Sequence, residues 1–239
     1  MLPSLIHLPT GGTFRYDDKK LLNPQTPSWN VLESVMFTEQ TQAYYMRMGT
    51  RAAVFCSNGP LDLGDDFIRR LKSGNFYGLQ KVVDQSVAEL NLKVKLDFSG
   101  MPIFNLIGGK PTIFDDTNGI RSWHQDDVPK GYNSSESGKW KSLINRDDDE
   151  FWEPPGDFNG QPSFSMVLFL DSATKDEFTS TRTHYCTRAG CFMEEFTTCS
   201  EHMTYAGSAA IHPSLAAHRA PSGIENSMRI GIALEMRVV

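Results

Sequence analysis

The chain has 239 residues, of which 39% are hydrophobic, 22% charged and 11% aromatic, proportions that exclude a fibrous or disordered protein. Its length suits one domain with a sizeable core. Asp and Glu outnumber Lys and Arg by 29 to 23, so the formal net charge is −6, which counts against non-specific binding to nucleic acid.

Three segments near the N-terminus have the apolar spacing of amphipathic helices. They are residues 31–51, 65–71 and 79–90. The first 30 residues are rich in Pro, Gly, Asn and Thr and predict irregular structure. No apolar run approaches the roughly 20 residues of a membrane helix, and the N-terminus lacks the basic segment of a secretory signal. These features predict a cytoplasmic protein.

After residue 92 the pattern changes to short strand-like runs separated by Gly, Pro, Asn or Asp. The predicted strands are residues 93–98, 102–107, 120–124, 164–170, 202–211 and 228–239. Many short strands after a helical start predict a mainly β fold with packing helices, an antiparallel barrel or jelly roll. We therefore expect one domain over residues 1–239, with a mostly helical part at 1–92 and a jelly-roll core at 93–239.

A long polar segment interrupts the predicted core at residues 129–162. Loops of this length in compact domains usually have a function, and active-site lids are a common one. The aromatic residues Trp140, Phe151, Trp152 and Phe158 could cover a site or could simply pack the loop against the barrel.

A His-x-Asp motif, His124 and Asp126, lies at the end of one predicted strand. Alternate residues of a strand point to the same side, so both could bind one ion. Two histidines and one carboxylate form the ligand set of non-haem Fe(II) oxygenases, which keep open positions for a co-substrate and O2. We predict His218 as the third ligand, with His212 as its competitor.

Arg229 opens the last predicted strand, beside the apolar Ile230 and Ile232. A buried arginine needs polar partners, and its guanidinium can hold a carboxylate by two parallel hydrogen bonds. That carboxylate could belong to a bound acid or to an internal residue such as Asp171 or Glu235.

Several of these segments resemble the phytanoyl-CoA hydroxylase-like branch of the 2-oxoglutarate oxygenases. Trp123-His124-Gln125-Asp126 resembles the proximal motif of that branch, and residues 164–171 resemble its next strand, which ends in Leu-Asp. The Gly-led segment from Gly207 resembles its distal motif, in which the matching residues are His218, Asn226 and Arg229. The resemblance extends from residue 104 to residue 239.

The resemblance implies a double-stranded β-helix dioxygenase that hydroxylates a C–H bond of a small-molecule substrate. It implies that Fe(II) is bound by His124, Asp126 and His218, that Arg229 holds 2-oxoglutarate, and that His212 is structural. Relatives that halogenate lack the metal-binding carboxylate, so Asp126 favours hydroxylation.

The chain departs from the branch at two places. It has Arg182-Thr183-His184 where the branch usually has Gly-Ser-His, and Ala220 where the branch often has a hydroxyl side chain. Ser222 or Ser227 could replace that hydroxyl as a co-substrate contact. Asn105, on a neighbouring strand, is a further candidate contact.

Five possible zinc ligands lie within 19 residues, namely His184, Cys186, Cys191, Cys199 and His202. Their spacing matches no common zinc module, so thiols, or a bridge between Cys186 and Cys191 formed after lysis, are favoured over a structural zinc. For the fourth cysteine, Cys56, a thiol is also expected, because the chain lacks a secretory signal.

Two other functions remain open. One is an oxygenase of the same fold that acts on nucleic-acid bases or on protein, of which the acidic charge disfavours the first. The other is a catalytically silent jelly-roll binding module. Succinate production from 2-oxoglutarate distinguishes enzyme from binding module.

Overall fold

The computed structural model describes residues 6–7, 13–15, 29–32, 35–37, 39–90, 92, 94–96, 103–108, 125–126, 154–160, 163–174, 183–186, 196–199, 201–219 and 228–239. Within these ranges, no helix has the length and apolar character needed to cross a membrane.

The described N-terminal residues include three α-helices: α1 (Glu39–Arg47), α2 (Asp65–Lys72) and α3 (Leu79–Val87). A short 3-10 turn, Ala88–Leu90, continues α3. The first turn of α2 contains acidic residues and its last turn contains basic residues, and both interact favourably with the helix dipole. The predicted helices at 65–71 and 79–90 are confirmed.

The helix predicted at residues 31–51 is too long at both ends, because α1 begins only at Glu39 and ends at Arg47. Val31 instead ends a strand over residues 29–31, whose first two residues were predicted to be irregular, and residues 35–36 form another strand. The strand at 29–31 pairs with residues 55–57, so long-range sheet hydrogen bonds outweigh the local helical spacing there.

In the part of the chain that the structure describes, the strands form three antiparallel sheets. They are β1 (Ile6–His7), β2 (Thr13–Arg15), β3 (Trp29–Val31), β4 (Val35–Met36), β5 (Phe55–Ser57), β6 (Val94–Leu96), β7 (Ile103–Gly108), β8 (Ser163–Phe169), β9 (His184–Cys186), β10 (Phe196–Thr198), β11 (Ala209–Pro213), β12 (His218–Arg219) and β13 (Met228–Val238). The main sheet has the order β3-β5-β11-β8-β13, and both β6 and β7 pair with the outer edge of β13. The two smaller sheets have the orders β10-β9-β12 and β1-β2-β4. The predicted fold class, a mainly β jelly roll with packing helices, is confirmed.

The predicted strands at 93–98, 102–107, 164–170 and 228–239 correspond to β6, β7, β8 and β13. The strand predicted at 202–211 begins only at Ala209, because Glu201–Thr204 form a 3-10 turn. The strand predicted at 120–124 lies outside the described residues.

The two faces of the main sheet differ in burial. Phe164, Met166 and Leu168 alternate along one face of β8 and are buried, and α1 covers this face where Tyr45 packs edge-on against Phe164. On the opposite face Val167 is only partly buried. This second face, to which Ser165 and Val167 of β8 belong, is called the site face below.

Cys56 and Cys199 form a disulfide that joins β5 of the main sheet to the residue that follows β10. The expectation of thiols is therefore wrong for these two cysteines. Cys199 is also removed from the proposed zinc ligands. Cys191 and the side chains of the other three candidates lie outside the described part of the structure.

Candidate metal and co-substrate site

Asp126 is held beside the turn that follows β11. Its backbone N–H donates to the Ser214 carbonyl at 2.7 Å, and the side-chain amide of buried Gln125 donates to the Leu215 carbonyl at 3.0 Å. The Ser165 hydroxyl donates to Asp126 Oδ2 at 2.6 Å. These bonds orient the carboxylate over the site face.

Two buried histidines lie beside this carboxylate. His212 is the penultimate residue of β11 and lies on the site face, where it pairs in register with Ser165, and His218 begins β12. One ligand atom from each of Asp126, His212 and His218 lies within 4.8 Å of the others. His218 Nε2 is 3.5 Å from Asp126 Oδ2, and the two imidazole centroids are 4.1 Å apart.

The tautomer of both imidazoles follows from their backbone contacts. His212 Nδ1 is 2.9 Å from the Pro213 carbonyl, and His218 Nδ1 is 2.8 Å from the Ala216 carbonyl. A carbonyl oxygen only accepts, so each Nδ1 carries a hydrogen, and the neutral form of each ring has its lone pair on Nε2. Metal-binding histidines are commonly oriented by such a bond from the second nitrogen. Two imidazoles and one carboxylate fit an Fe(II) ion.

The structure brings two of the three predicted ligands, Asp126 and His218, into one cluster. His124 lies outside the described residues. His212, for which a structural role was predicted, offers its imidazole to the same cluster. The sequence signal for this was the short turn between His212 and His218, which returns the chain to the same place.

Ser165 was not predicted as a site residue. A pair of hydroxyls supports its position, since Ser163 Oγ donates to Ser214 Oγ at 2.6 Å and Ser165 Oγ lies 3.5 Å from the same atom. Two serines spaced by two residues in an otherwise apolar strand were the available signal, because they share one face.

Tyr185 was also missed. It pairs in register with His218 between β9 and β12, and its side chain is fully buried. Its ring lies edge-on to His212 at 5.4 Å between centroids and tilted to His218 at 6.2 Å. Burial, and then the charge of Asp126, raise the pKa of its hydroxyl, which therefore stays protonated.

Arg229 is 1% exposed at the start of β13. Its Nε donates to the Asp171 carbonyl at 3.1 Å, and its Nη2 contacts the Tyr205 carbonyl at 3.1 Å and Ser208 Oγ at 3.2 Å. Its guanidinium carbon lies 3.9 Å from the centroid of the Phe169 ring. Burial lowers the pKa of Arg229 to about 10, and it stays charged at neutral pH.

These contacts leave one nitrogen of Arg229 for a ligand. Among the described residues, Nη1 has no hydrogen-bond partner. The carboxylate of Asp171 accepts the Ile230 N–H and pairs with Lys72, so its direct bond to Arg229 is through the main chain. The two parallel hydrogen bonds predicted from Arg229 to a carboxylate would require the present bonds to rearrange. A single hydrogen bond from Nη1 would not.

Small side chains separate Arg229 from the metal cluster on the site face. Val167 is flanked in register by Ala210 and Ala233, and Phe169 is paired with Gly231. The four residue steps of strand from Ser165 to Phe169 span roughly 13 Å. Between the metal cluster and Arg229 the face therefore carries small side chains around Val167.

The other predicted co-substrate residues are less well defined. Asn105 pairs in register with Gly231 on β13, which brings its backbone to this part of the sheet. Ser222 and Ser227 lie outside the described residues.

The end of the long loop rests on α1. Arg47 donates to the carbonyls of Gly156 and Phe158 at 2.8 and 2.9 Å, and the Tyr44 hydroxyl donates to the Gly160 carbonyl at 2.8 Å. Phe158 also packs against Tyr44. Trp140, Phe151 and Trp152 lie outside the described residues, so the lid stays a prediction.

No family model matches the chain, and no curated protein matches it. The chain is similar in structure to AviO1 from Streptomyces viridochromogenes Tue57, with 12% identity and a TM-score of 0.45 over 84% of this chain and 96% of that chain. It is similar to EvdO2 from Micromonospora carbonacea var. aurantiaca complexed with 2-oxoglutarate, with 13% identity and a TM-score of 0.37 over 97% and 94%. It is also similar to HygX from Streptomyces hygroscopicus with iron bound, with 9% identity and a TM-score of 0.41 over 85% and 87%.

Proposed function

We propose that this protein is a non-haem Fe(II)- and 2-oxoglutarate-dependent dioxygenase that hydroxylates a C–H bond of a small molecule. The observation that carries the proposal is the cluster of partly exposed Asp126 with two buried imidazoles whose tautomers are fixed by backbone bonds. With iron bound, such a centre couples the conversion of 2-oxoglutarate and O2 to succinate and CO2 with insertion of one oxygen atom into the substrate.

The proposed iron ligands are His124, Asp126 and His218. Gln125 and Asp126 point their side chains to different partners, Leu215 and Ser165. In an extended chain, His124 would lie on the same side as Asp126. His212 is the competing second histidine, since its imidazole belongs to the described cluster.

The proposed co-substrate position lies between the metal cluster and Arg229. Arg229 supplies a buried positive charge whose Nη1 has no partner among the described residues, and this charge attracts the distal carboxylate. Asn105 and Ser227 are proposed as further contacts. The protein's part is to orient the acid along the site face and to hold water away from it.

Hydroxylation is proposed over halogenation because Asp126 supplies a carboxylate that halogenating relatives lack. The acidic net charge favours a small-molecule substrate over nucleic acid. A protein substrate and a catalytically silent binding module are the competing functions.

The test uses the purified chain with Fe(II), 2-oxoglutarate and O2, and measures succinate with and without a panel of small molecules. We expect slow succinate production alone, faster production with a substrate, and a product that has gained one oxygen atom. The Asp126→Ala variant is the control and should produce neither. Metal binding without any succinate from the wild type would contradict the proposed activity and favour the binding module.

A further inference from the structure

The hydroxyl of Tyr185 is a buried polar group at the metal cluster. Tyr185 is fully buried, and its hydroxyl has no hydrogen-bond partner among the residues that the structure describes. A buried hydroxyl without a partner is destabilising, so such groups are retained where a ligand completes them.

The position of the Tyr185 ring is determined by the two histidines of the cluster. Its register with His218 sets the backbone, and its ring contacts with His212 and His218 set the side chain. Because the ring lies against both imidazoles, the Tyr185 side chain belongs to the metal end of the site. Arg229 lies several residues further along the sheet, with its head at Ser208 and Phe169.

We infer that the Tyr185 hydroxyl donates a hydrogen bond to the metal-binding end of a 2-oxo acid, the carboxylate and keto oxygens beside the iron. This inference rests on the proposed function, and it assigns the two ends of the co-substrate to different residues. Tyr185 contacts the end that binds the metal, whereas Arg229 contacts the distal carboxylate. A phenol is suited to this task because it donates a hydrogen bond without adding charge beside Asp126.

The test compares Tyr185→Phe with the wild type, with Mn(II) in place of iron so that no turnover occurs. Calorimetry measures the affinity for two acids: 2-oxoglutarate, and 2-oxobutyrate, which has the same metal-binding end but no distal carboxylate. We expect both affinities to fall about tenfold, as for the loss of one hydrogen bond to a charged group. Mn(II) affinity and the thermal midpoint should stay unchanged or the midpoint should rise. Tyr77→Phe, which removes a hydroxyl from an exposed side chain, is the matched control.

Three results would overturn the inference. The first is wild-type affinity of Tyr185→Phe for both acids. The second is a loss of affinity for 2-oxoglutarate alone, which would place Tyr185 at the distal carboxylate. The third is a loss of Mn(II) affinity, which would give Tyr185 a role in the metal site itself. If the wild type binds Mn(II) but neither acid, the proposed function fails and the inference falls with it. If the wild type binds both acids and Tyr185→Phe binds them equally well, the inference fails and the proposed function stands.

Discussion

At the scale of single residues, the first question is which histidines bind the metal. Asp126→Ala and His218→Ala should each weaken Fe(II) or Mn(II) binding by at least about a hundredfold, because each removes a ligand from a small donor set. His124→Ala should do the same, and His212→Ala should have a smaller effect. The measurement is metal affinity by calorimetry, with circular dichroism to show that each variant folds.

The same series can reverse the assignment of the second histidine. If His212→Ala abolishes binding while His124→Ala leaves it intact, the ligand set is the described cluster of Asp126, His212 and His218. Ser165→Ala is a useful companion, because it removes the hydroxyl that orients Asp126 without removing a ligand. It should weaken metal binding by a smaller factor than Asp126→Ala.

Arg229 combines a structural task with a proposed binding task. Arg229→Lys keeps a positive charge but loses bonds to Asp171, Tyr205 and Ser208, so the free energy of unfolding should fall by about 1.5–3 kcal/mol. If the distal carboxylate also binds there, the affinity of the folded protein for 2-oxoglutarate should fall by about one to two orders of magnitude. Metal affinity should barely change.

Both quantities are measured on the same samples, by urea unfolding and by calorimetry. Arg237→Lys is the control, since Arg237 lies on the same strand and pairs with Glu235 at a partly exposed position. A destabilised Arg229→Lys that binds 2-oxoglutarate as the wild type does would remove Arg229 from the co-substrate site.

At the scale of elements, α1 connects the long loop to the main sheet. One side of the helix packs on β8 through Tyr45, whose hydroxyl donates to the Ser163 carbonyl, and Arg47 binds the end of the loop. A disturbance at Arg47 should therefore loosen the loop and leave the sheet intact.

Arg47→Ala should accelerate limited proteolysis within residues 129–162 by several-fold, because two hydrogen bonds to the loop backbone are lost. Arg69→Ala is the control, since Arg69 pairs with Asp66 on one exposed helix face and such pairs contribute little. If the loop is a lid, Fe(II), 2-oxoglutarate and substrate together should slow cleavage in the wild type. Mass spectrometry locates the cuts, and equal rates in all samples would contradict both the anchor and the lid.

At the scale of the whole molecule, the disulfide closes a very large loop. Cys56 and Cys199 are 143 residues apart, and their bond connects the main sheet to the sheet that carries Tyr185 and His218. In the chain-entropy account, such a cross-link stabilises the folded state by about 4–5 kcal/mol, because it restricts the unfolded chain.

Reductant should therefore lower the thermal midpoint of the wild type. A Cys56→Ala, Cys199→Ala double variant should start lower and should not respond to reductant. An identical shift of the thermal midpoint in both proteins would assign the effect of reductant to Cys186 and Cys191. No shift in the wild type would mean that the Cys56–Cys199 bond contributes nothing to stability.

The features that could be predicted from the sequence are those with a local signal. The helices α2 and α3 follow from the spacing of residues such as Leu79, Val83 and Val87, which lie on one face because the period is a property of the helix itself. The strands β8 and β13 follow from dense apolar runs, and Asp126, His218 and Arg229 were singled out by motifs with short spacing.

The features that required the tertiary structure depend on residues that are distant in the chain. Val31 has helical spacing with the residues that follow it, yet it becomes part of a strand because β5 offers hydrogen bonds. His212 and Tyr185 join the cluster through the register of β11 with β8 and of β9 with β12, which no local period encodes. By itself the sequence determined the fold class and the type of chemistry expected of the chain. Only the tertiary structure decided which buried side chains surround Asp126, because pairing and register are set by the packing of the whole sheet.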